Sequence, residues 1–538
     1  MKTLLIGINS KYIHPAMGAI QIAANSRFPV ILREFTIKDD PSNIQKFLEE
    51  STADVIGFSV YIWNALIVKS LLGKIKTDKI IILGGPEASY RPEEYFAFPN
   101  VTYLIKNEGE ESFNELMEFL EGARPVWEVS NLYYRADLVR YTFDRLPDIS
   151  KIKHDHSSIA EPENQYLYLE SSRGCPYACS YCMASLEKQV RFFPMETVKQ
   201  EILQAMEQNF RTVKFLDRSF NADPKRMNEI LKFISNHDNH HSVFQFEIVG
   251  DTLKEDSIAL IKTLRRGLIR FEIGIQSTNS AVTQAVSRHQ DFERLKKNLR
   301  SIQENVVIHL DLIAGLPKED RESFIKTFNE TFALFPDELQ LGFLKELAGT
   351  GIAKNRVLHG YVFDPDPPYE VVKNNYISNR ELDEIRLAEI GLNKYYNSGR
   401  FPKTMKHLFE EQHRDPYETF KKLGNYLREN EAMALQPGDL AKALFIALGN
   451  QDGKRLLYLI KQDYLIFSKL KPSLWWEYEI SKEEKALVFK KFQKLYPDLT
   501  KEILYRDTRL EKCESDSETE YFLIAYHPKN VYYLTVKK

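Results

Sequence analysis

The sequence is poor in cysteine: four in 538 residues, and none before residue 175. So few cannot make the disulfide framework of a small secreted domain, and a reducing cytoplasm is the expected compartment. Long apolar runs are missing as well. The opening "MKTLLIGINSKY" breaks off at Asn9-Ser10-Lys11, too short for the apolar core of a signal peptide and better suited to a first β-strand. No segment approaches the ~18 apolar residues that a membrane span requires. Neither sign of charge dominates: 73 basic residues against 76 acidic ones leave a formal charge of −3, so no overall basic field draws nucleic acid to the chain. Repeats and low-complexity tracts are absent too. At 43% hydrophobic and 28% charged, the composition is that of soluble domains with substantial cores, and the length predicts about three of them.

Residues 1–140 alternate short apolar strands with helical patterns. The strands are expected at "KTLLIGI" (2–8), "VILREFTI" (30–37), "ADVIGFSVY" (53–61), "KIIILGG" (79–85) and "VTYLIKNEG" (101–109), separated by stretches such as "PSNIQKFLEES" and "EESFNELMEFLEG". This spacing predicts an open parallel sheet covered by helices, a Rossmann-like domain. Glycine-bearing loops follow three strands: "GFSVYIWN", "GGPEAS" and "NEGEES". One such loop is a tight turn and no more; three at the carboxyl ends of neighbouring strands point to a ligand crevice.

Residues 141–165, "YTFDRLPDISKIKHDHSSIAEPENQ", carry prolines and charges and read as a linker. Its His154-Asp155-His156 is a possible metal pair, with a solvated linker as the plainer reading. From 166 to 365 a second alternation runs through "YLYLESSRG", "TVKFLDRSF", "FQFEIVG", "LIRFEIGIQS", "VVIHLDLIAGLP" and "ELQLGFLKEL". Six strands, five of them followed by helices, fit a partial (β/α)6 barrel, whose chemistry gathers at the strands' carboxyl ends. Asp217, Asn221, Glu247, Gln276, Ser277 and Asp311 fall there. Residues 366–538 have helical periodicity with frequent aromatics and room for a small terminal sheet, a mostly helical domain whose aromatic stripes are expected to be core.

The chemistry lies in "SSRGCPYACSYCMAS" (171–185), where Cys175, Cys179 and Cys182 are spaced CxxxCxxC. Three thiolates this close can each bind one iron of a cubane cluster and leave the fourth iron without a protein ligand. Zinc is the competitor, but a structural zinc site takes four ligands and often two CxxC pairs. The second pair is missing, Cys513 stands alone in the acidic "EKCESDSE", and only His154 or His156 could complete such a site.

CxxxCx-aromatic-C, with Tyr181 before Cys182, following the first strand of a partial barrel, resembles the signature of radical S-adenosylmethionine (SAM) enzymes over about residues 166–350. The resemblance implies a 4Fe–4S cluster on Cys175, Cys179 and Cys182. It implies SAM bound at the open iron and cleaved by one electron to methionine and a 5′-deoxyadenosyl radical, with an electron donor such as flavodoxin or ferredoxin. It assigns SAM contacts to Tyr181, to Gln276 and Ser277 in "EIGIQST", and to Ile313 in "DLIAGLP", the motif that packs on adenine. "FLDRSFNAD" departs from the Gly-Gly-Glu run that holds the SAM amine in many members; Asp217 is the nearest carboxylate, with helix capping as its alternative. Arg288 in "AVSRHQ" matches a basic residue that pairs with the SAM carboxylate, and is otherwise a surface arginine.

A Rossmann-like domain ahead of such a barrel resembles the cobalamin-dependent subclass. The resemblance implies cobalamin over the sheet's carboxyl edge, at Tyr12, Ser59, Tyr61, Gly84, Gly85, Glu108 and Gly109. The DxHxxG of histidine-ligating cobalamin domains is replaced by "NSKYIHPAMG", so ligation by His14 is not expected. Three functions follow. One is methylation of an unactivated carbon by way of methylcobalamin; the second is ring closure, rearrangement or oxidation with the same cofactors; the third is a sensor without turnover. A methylthiotransferase is disfavoured, because those enzymes bind a second cluster through cysteines of their N-terminal domain. The substrate itself is not readable.

Overall fold

The computed structural model describes residues 1–159, 161–431, 436–449, 453–468, 470–477, 480–497, 499–514, 519–526 and 531–537; the acidic run after Glu514 lies outside them. The chain divides into two compact units, residues 1–320 with 342–378, and residues 321–341 with 379–538.

The first unit opens with strands β1 (Thr3–Asn9), β2 (Val30–Thr36), β3 (Val55–Ser59), β4 (Ile80–Gly84), β5 (Val101–Ile105), β6 (Leu132–Arg135) and β7 (Val139–Tyr141). They form one sheet in the order β2-β1-β3-β4-β5-β6-β7. The five strands expected from the sequence are parallel to one another. The hairpin β6–β7, which the sequence reading did not anticipate, extends the edge in antiparallel fashion. Leu4, Ile6 and Ile8 of β1 enter one hydrophobic core and Leu5 the other, so both faces of the strand are covered and its apolar run is continuous. β1 pairs with β2 on one side and β3 on the other. Connections leaving β1 and β3 therefore diverge and open a crevice at their carboxyl ends.

Residues 141–165 are not the solvated linker their composition suggests. Ile149, Ile152, His156 and Ile159 are buried, and the connector is tied to the first helix by two hydrogen bonds between the Asn25 amide and the Lys153 backbone, both 2.8 Å.

The barrel strands are β8 (Leu167–Leu169), β11 (Thr212–Phe215), β12 (Val243–Ile248), β13 (Ile269–Gln276), β14 (Val307–Ala314) and β15 (Glu338–Phe343), adjacent in chain order. An antiparallel clip of β9 (Ser172–Arg173) and β10 (Arg191–Phe192) flanks the cysteine loop. Along β13, Ile269, Phe271, Ile273 and Ile275 are fully buried, and Arg270, Glu272, Gly274 and Gln276 alternate with them on the barrel's inner face. A short hairpin, β16 (Val362–Phe363) with β17 (Val371–Lys373), completes this unit. Tyr361 and Asn374 beside it both donate to the Gly315 carbonyl at 3.0 Å.

The second unit is mostly helical and ends in an antiparallel sheet of β18 (Thr508–Glu514), β19 (Thr519–Tyr526) and β20 (Val531–Lys537). Its aromatics are core, as expected: Phe328 meets Tyr417 and Phe420 edge-on, and Phe332 meets Phe409.

Candidate functional site

The cysteine loop leaves β9 through Gly174, whose φ is +89° and whose added Cβ would stand 2.2 Å from the Gln189 carbonyl; only glycine fits there. The loop is fastened by its backbone. Cys175 N–H donates to Glu187 O at 3.0 Å, Ser180 N–H to Val286 O at 2.9 Å, and Ile352 N–H to Ser180 O at 2.8 Å. Cys175 and Cys179 are buried and Cys182 partly so, and burial pushes the Cys182 thiol up. Such a thiol ionises when a metal takes the proton's place.

Around this loop the fold gathers some of the expected residues and not others. Arg288 is no surface arginine. Its guanidinium lies 3.4 Å from the Tyr181 hydroxyl and 3.9 Å from Cys179 Sγ, and donates to the Gly274 carbonyl. Gln276 follows an irregularity in the β13–β14 register, has φ +68°, and leaves its Oε1 buried without a protein partner. Ile313 lies half-buried on the inner side of β14. Cys179, Tyr181, Arg288 and Gln276 thus form one polar corner beside the loop.

Asp217 is a different case. It is 1% exposed and accepts from Ser171 N–H at 2.8 Å and from the Ser171 and Ser172 hydroxyls at 2.6 Å each. Its carboxylate is spent on tying the turn after β8 to β11, and the helix cap is supplied by Asp223 instead. The accessible carboxylate at this level is Glu247, 3.4 Å from Arg218. Loss of bulk water inside the barrel, then Glu272, Asp311 and Asp217, push its half-enclosed carboxyl up to about 7 against the opposing pull of Arg218. Ser277 is likewise fully buried; its hydroxyl donates to Glu319 at 2.5 Å and accepts from Asn279 N–H, a joint between loops rather than a wall of the site.

Deeper in the barrel, Glu272, His309 and Asp311 bring one donor atom each within 4.8 Å of the others. Arg270 lies 3.2 Å from His309 Nδ1, and His309 Nε2 lies 3.2 Å from Asp311. A guanidinium can only donate, so Nδ1 accepts and the neutral ring carries its proton on Nε2, facing Asp311. Arg270 thus occupies the Nδ1 lone pair, and the contact between Nε2 and Asp311 is one of proximity without hydrogen-bond geometry.

Over the carboxyl edge of the first sheet lies a cavity of about 710 Å³. Ser59, Tyr61, Gly84, Gly85, Glu108 and Gly109 line one side of it, and Arg173, Gly174, Met183 and Arg218 of the barrel line the other. A slot runs from it down the sheet between Leu5, Gly57 and Ile82 on the strands and Gly18 and Phe113 on the helices. A Cβ at Gly18 would lie 3.0 Å from the Tyr61 hydroxyl, so a larger residue would narrow the slot. Gly85 has another reason to be glycine: φ +94°, with the Val60 carbonyl 2.5 Å from its would-be Cβ. Tyr12 stands apart, 53% exposed and outside the cavity wall, because its loop leans on the connector through Gln165. No histidine lines the cavity among the described residues; His14 Nδ1 is bonded to the Tyr168 hydroxyl at 2.6 Å.

Glu108 forms part of the wall, but its carboxylate is held by Arg173 at 2.7 Å and by Arg191. Arg173 also pairs with Glu110 and Glu170, each at 2.7 Å. This network joins the first sheet to the barrel clip across more than 60 residues of sequence. Sequence reasoning missed it, and no local pattern announces pairs so far apart. Arg218 stands directly after Asp217 in a quoted motif and was readable only as a neighbour.

Family models match three segments: "B12 binding domain" over residues 3–117, "Radical SAM superfamily" over 169–331, and "Protein of unknown function (DUF4080)" over 358–532. Among curated relatives, 2-(S-pantetheinyl)-carbapenam-3-carboxylate methyltransferase of Streptantibioticus cattleyicolor is 23% identical over 60% of this chain and 52% of its own length. The cobalamin-dependent radical SAM methyltransferase TokK of Streptomyces tokunonensis is 25% identical over 50% of this chain and 44% of its own. The chain therefore spans about half the length of the curated relatives it matches. Among solved structures, the cobalamin-dependent S-adenosylmethionine radical enzyme OxsB shares the fold over 93% of this chain and 82% of its own, with TM-score 0.59 and 16% identity. The radical S-adenosylmethionine methyltransferase TsrM of Kitasatospora setae does so over 69% of this chain and 82% of its own, with TM-score 0.58 and 15% identity.

Proposed function

We infer that this chain, a radical SAM protein with an N-terminal B12 binding domain, is a cobalamin-dependent enzyme that methylates an unactivated carbon of its substrate. One observation carries the reading: a single cavity is walled by the B12 domain on one side and by residues of and beside the cysteine loop on the other. A methyl carrier and a radical source can face each other only across such a shared space.

The residues fit the groups. Cys175, Cys179 and Cys182 would hold the cluster, and the slot past Gly18 and Gly57 admits a nucleotide tail. Arg288 and the Gln276 Oε1, which has no protein partner, would meet the carboxylate and ribose of SAM, and Glu247 its amine. When bound, the cluster and SAM supply a carbon-centred radical and cobalamin supplies a transferable methyl group. The chain's own part is to orient these groups, to seat the cysteine loop, and to exclude water with the Arg173 and Glu108 network that joins the two walls. An electron donor such as flavodoxin or ferredoxin is the proposed partner, and a reducing cytoplasm the proposed setting. Among the described residues no helix is long and apolar enough to cross a membrane.

Anaerobic reconstitution with iron, sulfide, cobalamin and labelled SAM tests the proposal. Methyl transfer predicts methionine, 5′-deoxyadenosine and S-adenosylhomocysteine in the presence of a substrate. 5′-Deoxyadenosine without S-adenosylhomocysteine would replace methylation by ring closure, rearrangement or oxidation, and binding without products would leave a sensor. Alanine at any of the three cysteines should abolish the cluster's visible absorbance.

A further inference from the structure

The connector between the first sheet and the barrel carries a group that the proposed reaction does not use. His154 has a side chain 2% exposed and Glu201, on the helix Met195–Glu207, one 7% exposed; His156 is 8% exposed. The imidazoles of His154 and His156 lie 6.3 Å apart, centroid to centroid, and the ring of Phe193 packs edge-on against His154 at 4.9 Å. His154 Nδ1 is bonded to Glu201 Oε1. Four polar atoms remain buried with no partner: His154 Nε2, both ring nitrogens of His156, and Glu201 Oε2. Single unsatisfied atoms occur elsewhere in the interior, but four gathered on three neighbouring side chains call for an ion or water to meet them.

We propose that His154 and His156, backed by Glu201, bind one divalent transition-metal ion of the zinc type, at a site separate from the cysteine loop, that fastens the connector to the barrel. The carboxylate on Nδ1 keeps that nitrogen's proton in place and presents Nε2 as a bare lone pair, the arrangement found behind metal-binding imidazoles. His156 is buried with neither ring nitrogen taken by a protein partner, so the imidazole has a lone pair to offer a metal. Imidazole donors select zinc, cobalt, nickel or copper over magnesium and calcium, which take oxygen ligands. Glu201 offsets the ion's charge, and water completes the coordination.

The probe is Co²⁺, titrated into the full-length chain after its cluster has been reconstituted, so that the three cysteines are already occupied. The expected result is uptake of one cobalt per chain with visible d–d bands and no thiolate charge-transfer band, displaced by Zn²⁺. His154→Ala and His156→Ala should lose this uptake, and Glu201→Gln should weaken it roughly 10- to 100-fold, all with unchanged cluster absorbance. No uptake by the wild-type chain, or equal uptake and affinity in His156→Ala, overturns the proposal. The wild-type titration decides by itself if a variant fails to fold.

Discussion

Two acidic residues one strand apart have opposite fates. Asp217 is closed in by two serines, so Asp217→Asn should cost about 1–3 kcal/mol of stability by denaturant titration, the range for disturbing a buried hydrogen-bonded group. Because its carboxylate is spent, SAM binding should hardly change. Arg288 should behave in the reverse way. Arg288→Met leaves the cysteine thiols intact, and the cluster should still form, while SAM affinity falls roughly 10- to 100-fold, as befits a lost charged hydrogen bond. Equilibrium binding to the reconstituted protein reads this; unchanged affinity would remove Arg288 from the site. The Glu247 carboxyl, raised to about 7, is protonated more readily in the native than in the unfolded chain. Its stabilisation is complete below about pH 4.5 and is lost as pH rises through about 7. Denaturant midpoints should therefore fall with pH over that window more in the wild type than in Glu247→Gln, and equal slopes would deny the raised pKa.

At the scale of elements, each strand of the two alternations was legible, because an apolar run of strand length bounded by glycine or proline has few other readings. β6 and β7 were not, since a short edge hairpin such as Leu132–Tyr141 need bury only one face. Glycine within helices was also opaque. Gly424, inside the helix Pro416–Glu429, looks like a cost in helix propensity, yet a Cβ there would stand 1.8 Å from the Leu387 carbonyl, and one at Gly391 2.1 Å from that of Phe420. The two helices meet backbone to backbone. Gly424→Ala gains about 1 kcal/mol of propensity but should lose more to overpacking, which costs about 1–3 kcal/mol; urea unfolding should show net destabilisation.

For the whole molecule, a cut after residue 365 looks natural in sequence. The second unit, however, includes residues 321–341, which follow β14 in the chain and run into β15. Phe324, Phe328 and Phe332 of the helix Arg321–Phe332 are fully buried, the last two against aromatics beyond residue 400. Deleting 366–538 should uncover them and give protein that aggregates or binds hydrophobic dyes. A soluble, cluster-loading truncation would contradict this. The sequence by itself determined the cysteine loop, the two strand-helix alternations and the glycine-bearing crevice, because spacing and periodicity are local and survive in one dimension. Only the tertiary structure decided that Asp217 is spent and Glu247 open, that Glu108 belongs to Arg173 and Arg191, and that the two connector histidines are buried. Burial and charge pairing depend on which distant segments come to lie side by side, and no short stretch of chain records that.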